Sequence, residues 1–383
     1  MKFRPRRKSR YHNQLRRLPQ CNDDLMPALY EAFMMARRGK LNTNDEYRFE
    51  THYLENIEQL ASDIVTRRYK PGRSKAFIVN DPVVREIFAA PFKDRIVHHL
   101  LYAVVAPWWD NHFIYTASSC RTGKGTDFAI CELQTAMRKA SRNGTRKAYV
   151  FKGDISGYFM SMKRELLYEK VMWGLNKQFP EKGWLYDMCA YLWKEVIFDD
   201  PTVGVRFAGP KSDWEPLPKN KSLFNQPKGQ GIVIGNLTSQ LLSNIMMNEF
   251  DWYMKRKMGF KYYGRYVDDF YVVVDENEYD RARVVMWTDV AERLKGLGLK
   301  MHPKKHYEQE THKGCPFLGK VVRSGYILPG KRYKKNARRA FYFCATTGEK
   351  EEAVISYVGM SKNMQAKKFL DREFSKVGWR YRY

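Results

Sequence analysis

The sequence predicts an α+β fold in which short antiparallel strand pairs lie among amphipathic helices. Three observations point there. Tyr262-Tyr263-Gly264-Arg265-Tyr266 and Tyr271-Val272-Val273-Val274 are rich in β-forming residues and are joined through Val267-Asp268-Asp269-Phe270, so they read as a hairpin with two carboxylates at its tip. Ala148-Tyr149-Val150 runs into Phe151-Lys152-Gly153-Asp154, a second β-like segment that ends on a carboxylate. Around both, apolar residues recur at helical spacing.

The elements follow in chain order. Within residues 23–68, Leu25, Leu29, Phe33 and Met34, then Leu54, Ile57, Leu60, Ile64 and Val65, predict two amphipathic helices. Tyr69-Lys70-Pro71-Gly72 stops the second. Ala76-Phe77-Ile78-Val79 and Val84-Arg85-Glu86-Ile87-Phe88 read as paired strands joined around Asn80-Asp81-Pro82. A helix from Asp94 carries Ile96, Val97, Leu100, Leu101 and Val104, and the Gly-rich segment 121–126 opens another. Helices continue after Asp154 to the neighbourhood of Glu195. An insert at 199–229, with clustered Pro, Gly, Lys and Trp, is long enough to be functional. Ile234-Gly235-Asn236-Leu237-Thr238-Ser239-Gln240 then leads into an apolar helix with Leu241, Leu242, Ile245, Met246 and Phe250. Residues 280–297 form a further helix, His302-Pro303-Lys304-Lys305 a turn, and Phe317-Leu318-Gly319-Lys320-Val321-Val322 a strand. The remainder is basic and helical.

Composition bounds the partners. The chain has 383 residues and a formal net charge of +26. That length implies one enzyme of two or three subdomains, and the charge implies a polyanionic partner. Lys and Arg concentrate at 2–17, where there is no acid, and again from Lys331 onward, which includes Lys334, Lys335 and Arg338. They are interleaved with Tyr11, Tyr333, Phe341 and Trp379, and such surfaces stack on bases while neutralising phosphates. The 6 cysteines form no Cys-x-x-Cys pair and no zinc-type spacing with His, so reduced thiols are expected. No apolar run approaches the roughly 18 residues of a membrane span, and no signal core follows the basic N-terminus. A soluble cytoplasmic enzyme with no membrane partner is the expectation.

Carboxylate oxygens are hard ligands, so Asp268 and Asp269 together suit Mg²⁺. An Asp-Asp pair alone reads equally well as a solvated turn. Asp154 tips the balance. Carboxylates on neighbouring strands could hold two metal ions roughly 4 Å apart, the arrangement that stabilises attacking and leaving oxygens in phosphoryl transfer.

The order of these segments, a strand ending in Asp154, a Gly/Ser helix start, an Asp-Asp hairpin, a lysine turn and a Phe-Leu-Gly strand, resembles the palm of reverse transcriptases over nearly the whole chain. Within that superfamily the chain looks most like the reverse transcriptases of diversity-generating retroelements. The resemblance rests on the run from Arg85 to His99, on Ile234 to Gln240, and on Tyr266-Val267-Asp268-Asp269-Phe270. Ser239-Gln240 is the most specific of these, because intron-encoded and retroviral relatives usually have Ser-Pro there.

The resemblance implies a right-hand architecture: a basic arm at 1–22, fingers with the first palm elements at 23–147, a palm at 148–322 containing the insert, and a basic helical thumb at 323–383. It implies that a primer 3′-hydroxyl attacks the α-phosphorus of a dNTP with two Mg²⁺ ions, or Mn²⁺ as substitute. Asp154 and Asp268 would bind both ions, Asp269 would assist, and the Ile155 carbonyl would complete one shell. Phe159 would lie under the sugar to exclude a 2′-hydroxyl, with Tyr158 the competing ring. Arg85 would grip the triphosphate, as its planar guanidinium suits, with Lys75 adding charge. Lys304 or Lys305 would protonate pyrophosphate, and Lys305 is preferred. Gly235 would let the backbone approach the nucleotide, and Ile234, where retroviral enzymes have Gln, would loosen base selection.

Nucleic-acid contacts are expected at Gln240, Arg121, Lys124, Lys334, Lys335 and Arg338. Gly123-Lys124-Gly125-Thr126 lacks the upstream glycine of a P-loop and reads as a helix-capping or template-contacting turn. His98-His99 follows an amphipathic pattern and is expected to pack or hydrogen-bond rather than bind metal. The implied partners are a template-repeat RNA, its cDNA, dNTPs and an oligomeric accessory variability protein. A retron or antiphage-defence reverse transcriptase is the nearest alternative, and a non-catalytic RNA-binding protein the alternative of another class.

Overall fold

A computed structural model describes residues 14–38, 43–80 and 83–379. The N-terminal apolar pattern forms α1 (Leu25–Arg37), α2 (Asn44–Thr51) and α3 (Tyr53–Val65), so the expected pair of helices is three. The extra break falls at His52, which leaves helical geometry at φ −128° and ψ 44°. The strands β1 (Lys75–Val79) and β2 (Arg85–Ala89) pair antiparallel as expected, and α4 (Phe92–His112) follows. The helix α5 (Thr126–Ala140) starts after Gly125, which occupies its N-cap at φ 132°, so this Gly-rich turn caps a helix.

Next come β3 (Ala148–Ser156), the short α6 (Tyr158–Ser161), and the long helices α7 (Arg164–Gln178) and α8 (Trp184–Phe198). The insert contains β4 (Arg206–Phe207), which adds parallel to β1 and completes a three-stranded sheet, and several single 3-10 turns. After it, α9 (Leu237–Trp252) leads to β5 (Tyr262–Tyr266) and β6 (Asp269–Asp275). The segment α10 (Tyr279–Val284) passes through a π-helical turn into α11 (Val290–Gly296). The strands β7 (Lys300–Met301) and β8 (Tyr307–Glu310) both pair with β3.

The palm sheet therefore runs β5-β6-β3, with β7 and β8 along different stretches of the far edge of β3. Both faces are covered, which is why β6 reads as a continuous apolar run rather than an apolar-polar one. Its side chains still alternate between two cores. Phe270, Val272 and Val274 enter the core shared with α4, α7 and α9, while Tyr271 and Val273 face α5.

The expected strand at 317–322 is instead two strands of a hairpin, β9 (Cys315–Phe317) and β10 (Lys320–Val322). Leu318 at φ 46° and Gly319 at φ 80° turn the chain between them, and β11 (Ile327–Pro329) completes this small sheet. The helices α12 (Lys331–Thr347), α13 (Glu351–Ser361) and α14 (Lys367–Lys376) close on their own core. Tyr333, Ala337, Phe341 and Cys344 supply the α12 face of that core at helical spacing. The whole is α+β and has the right-hand polymerase arrangement, with a central antiparallel sheet between a strand-bearing helical lobe and a small helical one.

Candidate active site

The strands β3 and β6 run antiparallel in a register that sets Asp154 directly opposite Asp269. Gly153 precedes Asp154 because the Phe270 ring lies against its backbone, where any Cβ would collide. Val267 and Asp268 form the two-residue turn between β5 and β6, so Asp269 is the first residue of a strand rather than part of the tip. The Asp268 carbonyl accepts from the Ile155 amide at 3.2 Å, and the Asp154 carbonyl accepts from the His302 amide at 2.8 Å. These bonds tie the turn and the lysine loop to the end of β3.

Val267 sits at φ 56°, a left-handed conformation that is strained for a β-branched residue. Both of its backbone groups are held from below. Its amide donates to Ser119 Oγ at 3.2 Å, and its carbonyl accepts from Arg265 Nη1 at 3.0 Å. Arg265 is fully buried and forks onto Asp251, with Nε to Oδ1 at 2.8 Å and Nη2 to Oδ2 at 2.7 Å. Tyr263 Oη donates to the same Asp251 at 2.6 Å, and Asn244 Oδ1 accepts from Ser119 Oγ and from Arg265 Nη2. A bidentate, fully hydrogen-bonded pair is the form in which a buried ion pair is tolerated. Sequence reasoning missed this network. Its signal was a charge set inside each of two apolar runs, Arg265 in a tyrosine-rich strand and Asp251 at the end of an apolar helix.

Burial and the charges of Asp154 and Asp269 push Asp268 up to about 6. Burial also raises Asp269, with Asp154 adding to the rise and Lys152 opposing it. Two ammonium groups offset part of this negative charge. Lys305 Nζ lies 3.0 and 2.9 Å from the two oxygens of Asp154, and Lys152 Nζ lies 3.4 Å from Asp269 Oδ1. Lys152 was another residue that sequence reading passed over. Among the described residues, no three acidic, His or Cys side chains are gathered closely enough to hold a metal ion as they stand. Lys305 takes up both oxygens of Asp154.

The expected nucleotide residues lie on β1, β2, α6, α9 and the segment leading into α9. Tyr158 is buried and donates to the Ser243 carbonyl at 2.6 Å, whereas Phe159 is only partly buried. Arg85 and Lys75 are exposed and share one face of the β1–β2 hairpin, Arg85 near its tip and Lys75 at its base. Ile234 is partly buried, and a Cβ on Gly235 would meet Ile87 at 3.4 Å. Gln240 is partly buried on α9. Thr238 Oγ1 meets His98 Nδ1 at 2.8 Å, so that histidine joins α4 to α9.

The residues expected to touch nucleic acid divide. Lys334 lines a cleft of about 860 Å³ together with Lys362, Lys367, Lys368 and Arg372, and Lys335 is exposed on the same helix. Three others are turned to structural use. Arg121 donates to Asp110 and to the carbonyls of Ile114 and Ala117, which consumes its fork inside its own loop. Lys124 donates to the Tyr115 carbonyl at 2.5 Å, and burial together with the Arg121 charge lowers it to about 8. Arg338 pairs with the buried Glu373 at 3.1 Å. The expectation for the basic arm falls mostly on residues 1–13, which lie outside the described residues.

Several known proteins are similar to this chain. Protein YkfC of Escherichia coli (strain K12) is 22% identical over 203 residues, covering 52% of this chain and 46% of that protein. The chain thus spans less than half the length of this curated relative. Among solved structures, telomerase from Candida albicans with a fragment of telomeric RNA aligns at a TM-score of 0.44 and 12% identity, covering 85% of this chain and 59% of that one. Telomerase from Candida tropicalis, also with a telomeric RNA fragment, aligns at 0.47 and 10% identity, covering 85% and 58%. The sequence profile described as Reverse transcriptase (RNA-dependent DNA polymerase) matches residues 83–322. That stretch takes in more than half of the sequence and contains Arg85, Asp154, Asp268 and Asp269, and the chain belongs to the reverse transcriptase family.

Proposed function

We propose that this chain is an RNA-directed DNA polymerase that copies a template-repeat RNA into adenine-mutagenised cDNA for a diversity-generating retroelement. The observation that carries the polymerase reading is the opposition of Asp154 and Asp269 in register, with Asp268 in the strained turn beside them. The donor set is all hard oxygen, burial and then the neighbouring carboxylates raise Asp268, and two lysines lie against it, so it fits divalent cations. Asp154, Asp268 and the Ile155 carbonyl are the proposed ligands of two Mg²⁺ ions, with Asp269 assisting. When bound, these ions neutralise charge on the attacking and leaving oxygens of phosphoryl transfer.

The chain's own residues then bind and orient. Arg85 and Lys75 offer fixed positive charge to the triphosphate from one hairpin face. Phe159 stands below the sugar, and Gly235 admits the nucleotide to the backbone. Lys305, which pairs with both oxygens of Asp154 here, would give up that pairing to a bound ion and would then be placed to give its proton to pyrophosphate. The cleft lined by Lys334 follows the nucleic-acid backbone. No described helix is long and apolar enough to cross a membrane.

The retroelement assignment is supported by Ser239-Gln240 within Ile234 to Gln240 and by the Arg85 to His99 run. It implies an accessory variability protein as partner. The test is cDNA synthesis by wild type and Asp268→Ala with the cognate RNA and accessory protein, followed by sequencing. Product from wild type alone, with substitutions concentrated opposite template adenines, is expected. Product of ordinary fidelity would remove the retroelement reading, and equal output from both proteins would remove the polymerase reading.

A further inference from the structure

The insert at 199–229 takes no part in the chemistry above, yet a buried charge binds it to β2. Glu86 is 1% exposed and accepts three hydrogen bonds from the insert: from Trp214 Nε1 at 2.7 Å, Ser222 Oγ at 2.9 Å and the Leu223 amide at 2.6 Å. A carboxylate taken out of water is tolerated only when donors fill its lone pairs, and here the insert fills them. One aromatic contact repeats the attachment, Phe224 against Phe88, and Phe224, Phe207 and Trp214 pack on one another within the insert.

The two faces of β2 look in different directions. Arg85 and Ile87 share one, and Ile87 abuts Gly235. Glu86 and Phe88 share the other, which the insert covers. The insert also reaches the palm. Leu223 shares a small apolar cluster with Ala76, Phe88, Met160 and Val233, and Phe159 and Ile234 pack against that cluster. The Asn220 carbonyl lies 3.6 Å from where a Cβ on Gly157 would be. The ring assigned to the sugar and the side chain assigned to the base thus rest on a surface that the insert helps to build.

We propose that the insert is a wall of the nucleotide pocket, seated by Glu86 as a positioning residue, and that it sets how strictly sugar and base are selected. A ring excludes a 2′-hydroxyl only if it cannot yield, and its backing determines that. The proposal rests on the polymerase reading but not on the retroelement assignment.

Full-length Glu86→Gln, Trp214→Phe and Ser222→Ala test it. One readout is kcat and KM for dATP and for ATP on a primed RNA template. The other is amide hydrogen exchange over 156–161 and 231–235. Glu86→Gln turns an amide donor toward donors. The preference for dATP is expected to fall on the order of tenfold, equivalent to about 1.4 kcal/mol, mainly through KM. Exchange at both segments should quicken while β6 stays protected. The other two variants each remove one donor and should fall between; they carry the test if Glu86→Gln does not fold. Unchanged selectivity in folded variants, or kcat reduced equally for both nucleotides with unchanged exchange, overturns the proposal. A wild type that extends no primer even with the accessory protein present removes the polymerase reading instead, and the exchange arm still decides whether the insert braces these residues.

Discussion

Asp268→Asn is expected to make the metal-free protein more stable at neutral pH, although it removes a proposed metal ligand. Asp268 is raised from 3.8 to about 6 by burial, then by Asp154 and Asp269. The folded state therefore holds the Asp268 proton more tightly than the unfolded chain does. Stability from this group is fully present below about 3.8 and is lost as pH rises through about 6. A shift of about 2 units corresponds to about 3 kcal/mol as an upper bound. Solvent screening at the partly exposed turn reduces this to about 1–2 kcal/mol at about pH 7.5. At about pH 5 the penalty falls to about half, because the folded state is then mostly protonated.

Thermal unfolding in EDTA at those two pH values is the assay, with the sign and pH dependence of the Tm difference as readouts. A second arm adds Mg²⁺. At a free concentration about 100 times the dissociation constant, binding stabilises wild type by about 2.7 kcal/mol, and the variant should gain far less. A variant no more stable than wild type at the higher pH, or an advantage that does not shrink at the lower one, would refute the claim that the turn is held against its own charge. Equal Mg²⁺ stabilisation of both proteins would refute the ligand assignment.

Removing Arg265 separates stability from positioning: Arg265→Leu strands Asp251 and should cost about 3–5 kcal/mol in denaturant unfolding. Adding Asp251→Leu should restore much of that stability but not primer extension, because the Val267 carbonyl still lacks its donor. Phe159→Ala should admit ATP, weakening sugar selection on the order of tenfold or more in primer extension. Tyr158→Phe should cost about 1 kcal/mol through the Ser243 hydrogen bond and leave selection intact. Ile234→Gln should narrow the error spectrum of sequenced cDNA, and an unchanged spectrum would discard that residue as its cause. Lys334→Ala with Lys335→Ala should lower the salt slope of single-stranded RNA affinity by about 0.7 for each phosphate no longer neutralised, whereas Arg338→Ala should lower Tm and leave the slope alone.

What the sequence discloses and what it conceals differ by the range of the interaction. Strand character and acid placement are local, so Asp154 and the Asp268-Asp269 hairpin could be read from their neighbours. Their opposition across β3 and β6 is a register and needs the paired strands. The split at Leu318-Gly319 was missed because apolar patterning ran through it while the backbone turned there, and α2, ahead of the break at His52, was missed because Asn44–Thr51 is mostly polar. Charges set in apolar runs were the least legible class, although their presence was plain. Arg265, Asp251 and Glu86 each meet complementary groups and act as scaffold, at the turn or under the insert. Asp154, Asp268 and Asp269 instead meet one another, and the lysines beside them leave Asp268 still raised. A one-dimensional pattern cannot tell these two classes apart, because the pairing of each charge is set by strand register and helix packing rather than by spacing along the chain. A fold that keeps like charges together below a strained turn gives up stability that simple substitution could recover, and such a concession is expected where a cation completes the site.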